Sequence, residues 1–269
     1  MICRALSFFG IPVFSAMSEK MQIFARKEAI NAQAKQAAAF FAKAFLAIAI
    51  FSNALESFAQ SNQDLQRRCA TGIAQSCYDL AIQYDHQHKE PGRAAEFAAK
   101  ACDKNLFAAC TFLGIKYSAG EGVSKDSFHA VRLFEKSCNG SGNHVGCQLF
   151  ALALSEGDGI RQDKNKAYQY LATLCSIGHL DSCGSLARFY QEGWVIQRDH
   201  SKAAELLERA CLQENFGARY CHELGLLYES GVGVSMDKKT ALELYGKSCD
   251  KRSAEGCQNY ARLKNTIVR

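Results

Sequence analysis

Proline is almost missing from this chain, with only Pro12 and Pro91 in 269 residues. Neither marks a linker, so nothing in the composition divides the chain between domains. Charge of one sign is missing too. Outside residues 1–59 there are 26 basic against 24 acidic side chains, which excludes the clustered basic footprint of nucleic-acid binding. The apolar run Ala44-Phe-Leu-Ala-Ile-Ala-Ile-Phe51 falls short of the roughly 18 residues that a membrane span wants. Tryptophan occurs once, as Trp194. Cysteine, by contrast, occurs 13 times.

Twelve of the cysteines form pairs: Cys69/Cys77, Cys102/Cys110, Cys138/Cys147, Cys175/Cys183, Cys211/Cys221 and Cys249/Cys257. From first cysteine to first cysteine the steps are 33, 36, 37, 36 and 38 residues, the length of helix-turn-helix repeats. On one continuous helix, eight positions rise about 12 Å, too far for the roughly 4.4–6.8 Å between bridged Cα atoms. A turn must separate the two members of each pair.

Between pairs the apolar spacing also repeats. Three positions after the second cysteine stand Leu80, Leu113, Phe150, Leu186, Leu224 and Tyr260, and at four stand Ala81, Gly114, Ala151, Ala187, Gly225 and Ala261. At seven come Tyr84, Tyr117, Leu154, Tyr190 and Tyr228. This is one buried face of an amphipathic helix. A second helix carries Ala94, Ala130, Ala167, Ala203 and Ala241 eight positions before the next first cysteine, with Phe97, Leu133, Tyr170, Leu206 and Leu244 three positions later. Gly120-Glu121-Gly122-Val123, Gly157-Asp158-Gly159-Ile160 and Gly231-Val232-Gly233-Val234 join the two, glycine supplying the left-handed residue that ends a helix. Asp126, Asp163, Asp199 and Asp237 then cap the second helix.

The segment from Cys110-Thr-Phe-Leu-Gly through Lys136-Ser-Cys138 recurs in five successive copies. It resembles the Sel-one-like repeat family, relatives of the tetratricopeptide repeats, and is most similar to the Helicobacter cysteine-rich proteins, which add one cysteine pair per repeat. The expected fold is all-α, an α/α solenoid of helix-turn-helix repeats stapled by one intra-repeat disulfide each. Two copies depart from the pattern. Asp85-His-Gln-His-Lys-Glu-Pro91-Gly92 replaces the first turn, and Trp194 is read at the second glycine position of the fourth.

Lys35 and Lys43 precede the apolar run, and Ser57-Phe58-Ala59 supplies small residues before Gln60. The pattern predicts an export signal over residues 1–59, cleaved after Ala59, and a domain over 60–269 with five full repeats of about 36 residues and partial terminal units. Removing 1–59 also removes Cys3 and leaves an even count, which argues for six disulfides in a secreted or periplasmic protein. A zinc reading is weaker because Cys-x7-Cys is wider than the usual two to four intervening residues. A chain-entropy estimate assigns each short loop about 2.5 kcal/mol.

For activity, the resemblance implies a penicillin-binding, slowly β-lactam-hydrolysing protein. The residues themselves do not spell one out. Serine β-lactamases combine Ser-x-x-Lys with Ser-Asp-Asn and Lys-Thr-Gly; Ser235-Met-Asp-Lys238 and Ser248-Cys-Asp-Lys251 stand without those companions. His86-Gln-His88-Lys-Glu90 approximates a metal element but reads better as a solvated turn, and neither metal nor cofactor is expected. Pairing leaves no cysteine thiolate to act as nucleophile. The alternative is a non-catalytic scaffold whose stacked helices offer an extended concave groove to peptides, cell-wall fragments or host proteins. Partners are thus a β-lactam or peptidoglycan-derived small molecule, or a peptide. Trp194 is the one weak contact candidate, against the blander account of a ring folded over Phe189 or Tyr190.

Overall fold

The computed structural model describes residues 62–141, 143–214 and 217–267, and contains no strand among them. The expected export signal, its cleavage point and Cys3 lie outside the described residues. Leu65–Arg269 is one compact unit. A helix over residues 62–70, α1, is followed by α2 (Ala74–His86), α3 (Pro91–Asp103), α4 (Phe107–Ala119), α5 (Ser127–Ser141), α6 (His144–Glu156) and α7 (Lys164–Ser176). Then come α8 (Leu180–Glu192), α9 (His200–Cys211), α10 (Gly217–Ser230), α11 (Lys238–Asp250) and α12 (Ala254–Ile267). Five hairpins, α2/α3 to α10/α11, stack with each helix packed on its sequence neighbours. This is an all-α solenoid.

The two apolar series meet inside each hairpin. Leu80 and Phe150 are fully buried, Leu113, Leu186 and Leu224 nearly so, and the five alanines of the second helices are at most 1% exposed. The pattern fails at its last copy. Tyr260 is only half-buried and Ala261 is exposed, since among the described residues no second helix follows to cover α12; Leu263 is buried there instead.

All six cysteine pairs are bonded, with Cα atoms 4.4–4.7 Å apart. Four bonds tie the second helix of one hairpin to the first helix of the next, and Cys69–Cys77 and Cys249–Cys257 tie α1 to α2 and α11 to α12. Cys102 of α3 is bonded to Cys110 of α4, Cys175 of α7 to Cys183 of α8, and Cys211 of α9 to Cys221 of α10. The expectation of intra-repeat bridges is corrected accordingly, at Cys183 and Cys221 as at every other pair. Within a hairpin the turn and its cap already hold the two helices, so the bridge fixes the junction between units. Five bridges are buried and the last, Cys249–Cys257, is half-buried. Cys110, Cys183 and Cys221 have no exposed surface at all, so these three belong to the core.

Gly120, Gly157, Gly193 and Gly231 end the first helices in the left-handed region. Gly122, Gly159 and Gly233 share that conformation, and each presses on the start of the preceding second helix, at Pro91, Ser127 and His200, closer than any side chain allows. Counting from Gly193, Val195 and not Trp194 stands at the second glycine position, which corrects the expected register. Val195 is not left-handed. Trp194 occupies the variable place between, and its ring lies 4.1 Å from Lys164 Nζ, at the start of the preceding second helix. The capping aspartates accept as expected, from His129 N, Lys166 N, Lys202 N and Lys239 N, each at 2.9 Å.

Candidate binding surface

The first helices α2, α4, α6, α8, α10 and α12 touch one another across successive hairpins. Tyr78 and Phe112 meet edge to face at 6.1 Å. Gln148 Nε2 donates to Ser185 Oγ at 3.3 Å, Tyr220 Oη to the Asp181 carbonyl at 3.1 Å, and Arg262 clasps Glu229 with both terminal nitrogens. These contacts make one continuous face. Its fifth position after each second cysteine reads Ile82, Ile115, Leu152, Arg188, Leu226 and Arg262, none of them buried. The series is thus apolar over α2, α4 and α6 and runs arginine, leucine, arginine over α8, α10 and α12.

The charged half is electrostatically engaged. Burial pushes the Glu223 carboxyl up from its usual range, against the pull of Arg219 and Arg188; Arg219 Nε lies 3.4 Å from it. Arg188 reaches to 3.9 Å from Glu156. In the apolar half Lys116 is held between Asp85 at 2.6 Å and Glu121 at 2.8 Å. Burial opposes its charge, but the two carboxylates outweigh it and raise its pKa. That triad ties α4 to the end of α2, where the ordinary glycine turn is missing.

A second repeated feature runs along the junctions. Beside five of the bridges a second helix follows, and at two of these places an open groove lies between it and the bridge. One, of about 740 Å³, is lined by Cys69, Cys77, Arg93, Phe97, Lys100 and Lys104 among others. The other, of about 480 Å³, is lined by Cys138, His144, Gln169, Tyr170, Thr173 and Ile177 among others. His144 also meets His179 edge to face at 5.9 Å. Burial pushes His179 below its ordinary value, Asp181 opposes this and His144 adds to it.

The residues singled out from the sequence do not converge. Cys183 and Cys221 are enclosed and bonded: a sulfur without exposed surface can neither touch a ligand nor act as a nucleophile. Ser248 is fully buried and donates to the Ala218 carbonyl at 2.7 Å; its partner Lys251 is spent on the Gln213 carbonyl. Ser137, also one place before a first cysteine, is bound in the same way to the Phe107 carbonyl. Ser235 is exposed in the α10/α11 turn. His86 ends α2, His88 rests against Tyr84 at 5.1 Å and Glu90 faces Arg93. Among the described residues no three His, Cys, Asp or Glu side chains could share a metal ion. Trp194 stands edge-on to Phe189 at 5.2 Å, between Lys164 and Arg188. Sequence reasoning missed the face residues Arg188, Arg219, Glu223, Glu229 and Arg262. Their only signal was a fixed offset from the cysteines without a fixed residue type.

The Sel1 repeat model matches residues 74–106, 107–141, 149–179, 181–215 and 218–253, one match per hairpin. Cytochrome c oxidase assembly factor 7 of Xenopus tropicalis is 30% identical over 182 residues, 65% of this chain and 78% of that protein. A Sel1 repeat protein from Oxalobacter formigenes superposes with a TM-score of 0.63 at 23% identity, covering 76% of this chain and 84% of that one. Cysteine-rich protein B of Helicobacter pylori shares 28% identity over 50% of this chain and 94% of its own, with a TM-score of 0.40.

Proposed function

Because the chain belongs to the Sel1 repeat family, we propose that it is a non-catalytic scaffold that holds a peptide segment of another protein along its first-helix face. One observation carries this reading. The face is continuous across six helices and carries Ile82, Ile115 and Leu152 in one half and Arg188, Leu226 and Arg262 in the other, an uneven surface that an extended partner can read along its length. The relative named as an assembly factor supports work through contact more than through turnover. Residues 1–59 are an export signal cleaved after Ala59, and the protein acts in an oxidising, secreted or periplasmic setting, which suits six bridges.

Peptides selected from a displayed library against the intact domain test the proposal. Ile115→Asp and Arg188→Glu should each weaken the selected peptides about tenfold, the size of one well-placed contact, with helix content unchanged. Full binding by both variants would overturn it. Chromogenic cephalosporin turnover with a covalent acyl adduct by mass spectrometry would instead establish the β-lactam hydrolysis implied by the resemblance.

A further inference from the structure

The five junctions are equivalent by position, and comparing them shows what belongs in the grooves. Two places before the first cysteine of the following second helix stand Lys100, Lys136, Thr173, Arg209 and Lys247. Lys136 Nζ donates to the Cys102 carbonyl at 2.9 Å, and the Arg209 guanidinium to the Cys175 carbonyl at 3.0 Å. At the last junction Lys251 reaches the Gln213 carbonyl. Each acceptor lies at or just beyond the C-terminal end of a second helix, where the dipole is negative; Cys102 O and Cys175 O keep a lone pair for the cation beside the bonds they accept from Asn105 N and Gly178 N. A cation is the natural occupant.

The groove beside Cys138–Cys147 has no such side chain. Thr173 is too short to cross it, and its hydroxyl donates back to the Gln169 carbonyl at 2.9 Å. Cys138 nevertheless lies in the last turn of α5, as its counterparts do in α3 and α7. What remains is the cavity of about 480 Å³, walled by Tyr170, which is fixed edge-on against Phe150 at 5.6 Å. Lys166 also lines the cavity, its Nζ held 5.4 Å from the Phe150 ring. The lining holds no carboxylate, and none is needed: neither Lys136 nor Arg209 makes an ion pair among the described residues. The larger groove beside Cys69–Cys77 differs. Lys100 is present there but turned to Glu96 at 2.7 Å, so the chain can refill that groove itself.

We propose that the cavity beside the Cys138–Cys147 bridge receives a lysine or arginine side chain of a partner peptide. The ammonium or guanidinium takes the place at the end of α5 that Lys136 and Arg209 take at the ends of α3 and α7. The aliphatic stem lies against Tyr170 and Leu174, as long basic side chains cover apolar surface. The site stands apart from the first-helix face and does not depend on its reading.

The test uses the full domain and two probe peptides, acetyl-Ala-Ala-Lys-Ala-Ala-amide and its norleucine analogue, followed by NMR. The lysine peptide should shift the Gln169 side-chain amide and the Ile177 methyls with millimolar affinity and show an intermolecular NOE from its ε-methylene to the Tyr170 ring. The norleucine peptide should bind about tenfold more weakly, since it lacks the charge-assisted hydrogen bond. Thr173→Lys, which seats the chain's own ammonium there, should abolish the shifts. Equal binding of the two peptides would overturn the proposal. So would absence of the NOE in the unmodified protein, a readout that does not depend on the variant folding.

Discussion

A β-carbon on Gly225 would stand 2.7 Å from the ring of Tyr245, so the glycine and the tyrosine are a matched pair across one hairpin. Gly114 and Phe134 are the same pair three hairpins earlier, with 2.6 Å to the ring. Where the partner place holds Ala98, Leu171 or Leu207, the other place holds Ala81, Ala151 or Ala187. Aromatic volume on the second helix is matched by loss of a methyl on the first, as close packing requires.

Gly114→Ala is therefore expected to cost about 1–3 kcal/mol by overpacking. Combined with Phe134→Leu, the total should fall short of the sum by about 0.5 kcal/mol or more. Urea unfolding of the four proteins in the cycle measures this. Strict additivity would mean that the ring moves aside freely. The cycle is cleaner here than at Gly225, because Tyr245 also donates to Glu229 at 2.7 Å.

Denatured but unreduced protein lacking residues 1–59 should take up no thiol label, since all twelve of its cysteines are bonded. Replacing both Cys102 and Cys110 by serine should cost about 2.5 kcal/mol for a loop of this size. A labelled cysteine, read by peptide mapping, would identify the bridge that does not form.

His179 gives stability a pH dependence. Its folded pKa lies below its ordinary value, chiefly through burial, so the unfolded chain binds the proton more readily. The contribution is present above about pH 6.5, the unfolded value, and is lost as pH falls through the folded pKa. Urea midpoints should drop between neutral and mildly acidic buffer, and His179→Asn should shrink that drop. An undiminished drop in the variant would assign it to other groups.

The two serines should separate by stability. Ser248→Ala removes the bond from a fully buried hydroxyl to the Ala218 carbonyl and should cost about 1 kcal/mol, whereas exposed Ser235→Ala should leave the unfolding midpoint unchanged. Neither change should lower any cephalosporin turnover by more than its effect on the folded fraction. A hundredfold loss with intact helix content would reveal a working nucleophile.

Trp194 emission should respond to replacement of Phe189, which its ring meets at 5.2 Å, and stay unchanged on titration with penicillin or a muropeptide. A ligand-induced spectral shift would bring the tryptophan back as a contact residue.

The sequence by itself determined the repeat, the helix pairs, the aspartate caps and the left-handed glycine ends, because each depends on residues close together in the chain. Hydrophobic period and backbone sterics act over one turn or two, and they leave a local pattern. Only the tertiary structure decided that the bridges tie successive hairpins and bury Cys183 and Cys221 completely, and that α12 leaves Ala261 exposed. Each of these depends on what packs from the neighbouring unit. The same holds for function: Arg188 and Glu223 share a face, and the Cys138 groove is open, through contacts between residues some 35 positions apart, a separation at which one helical repeat meets the next.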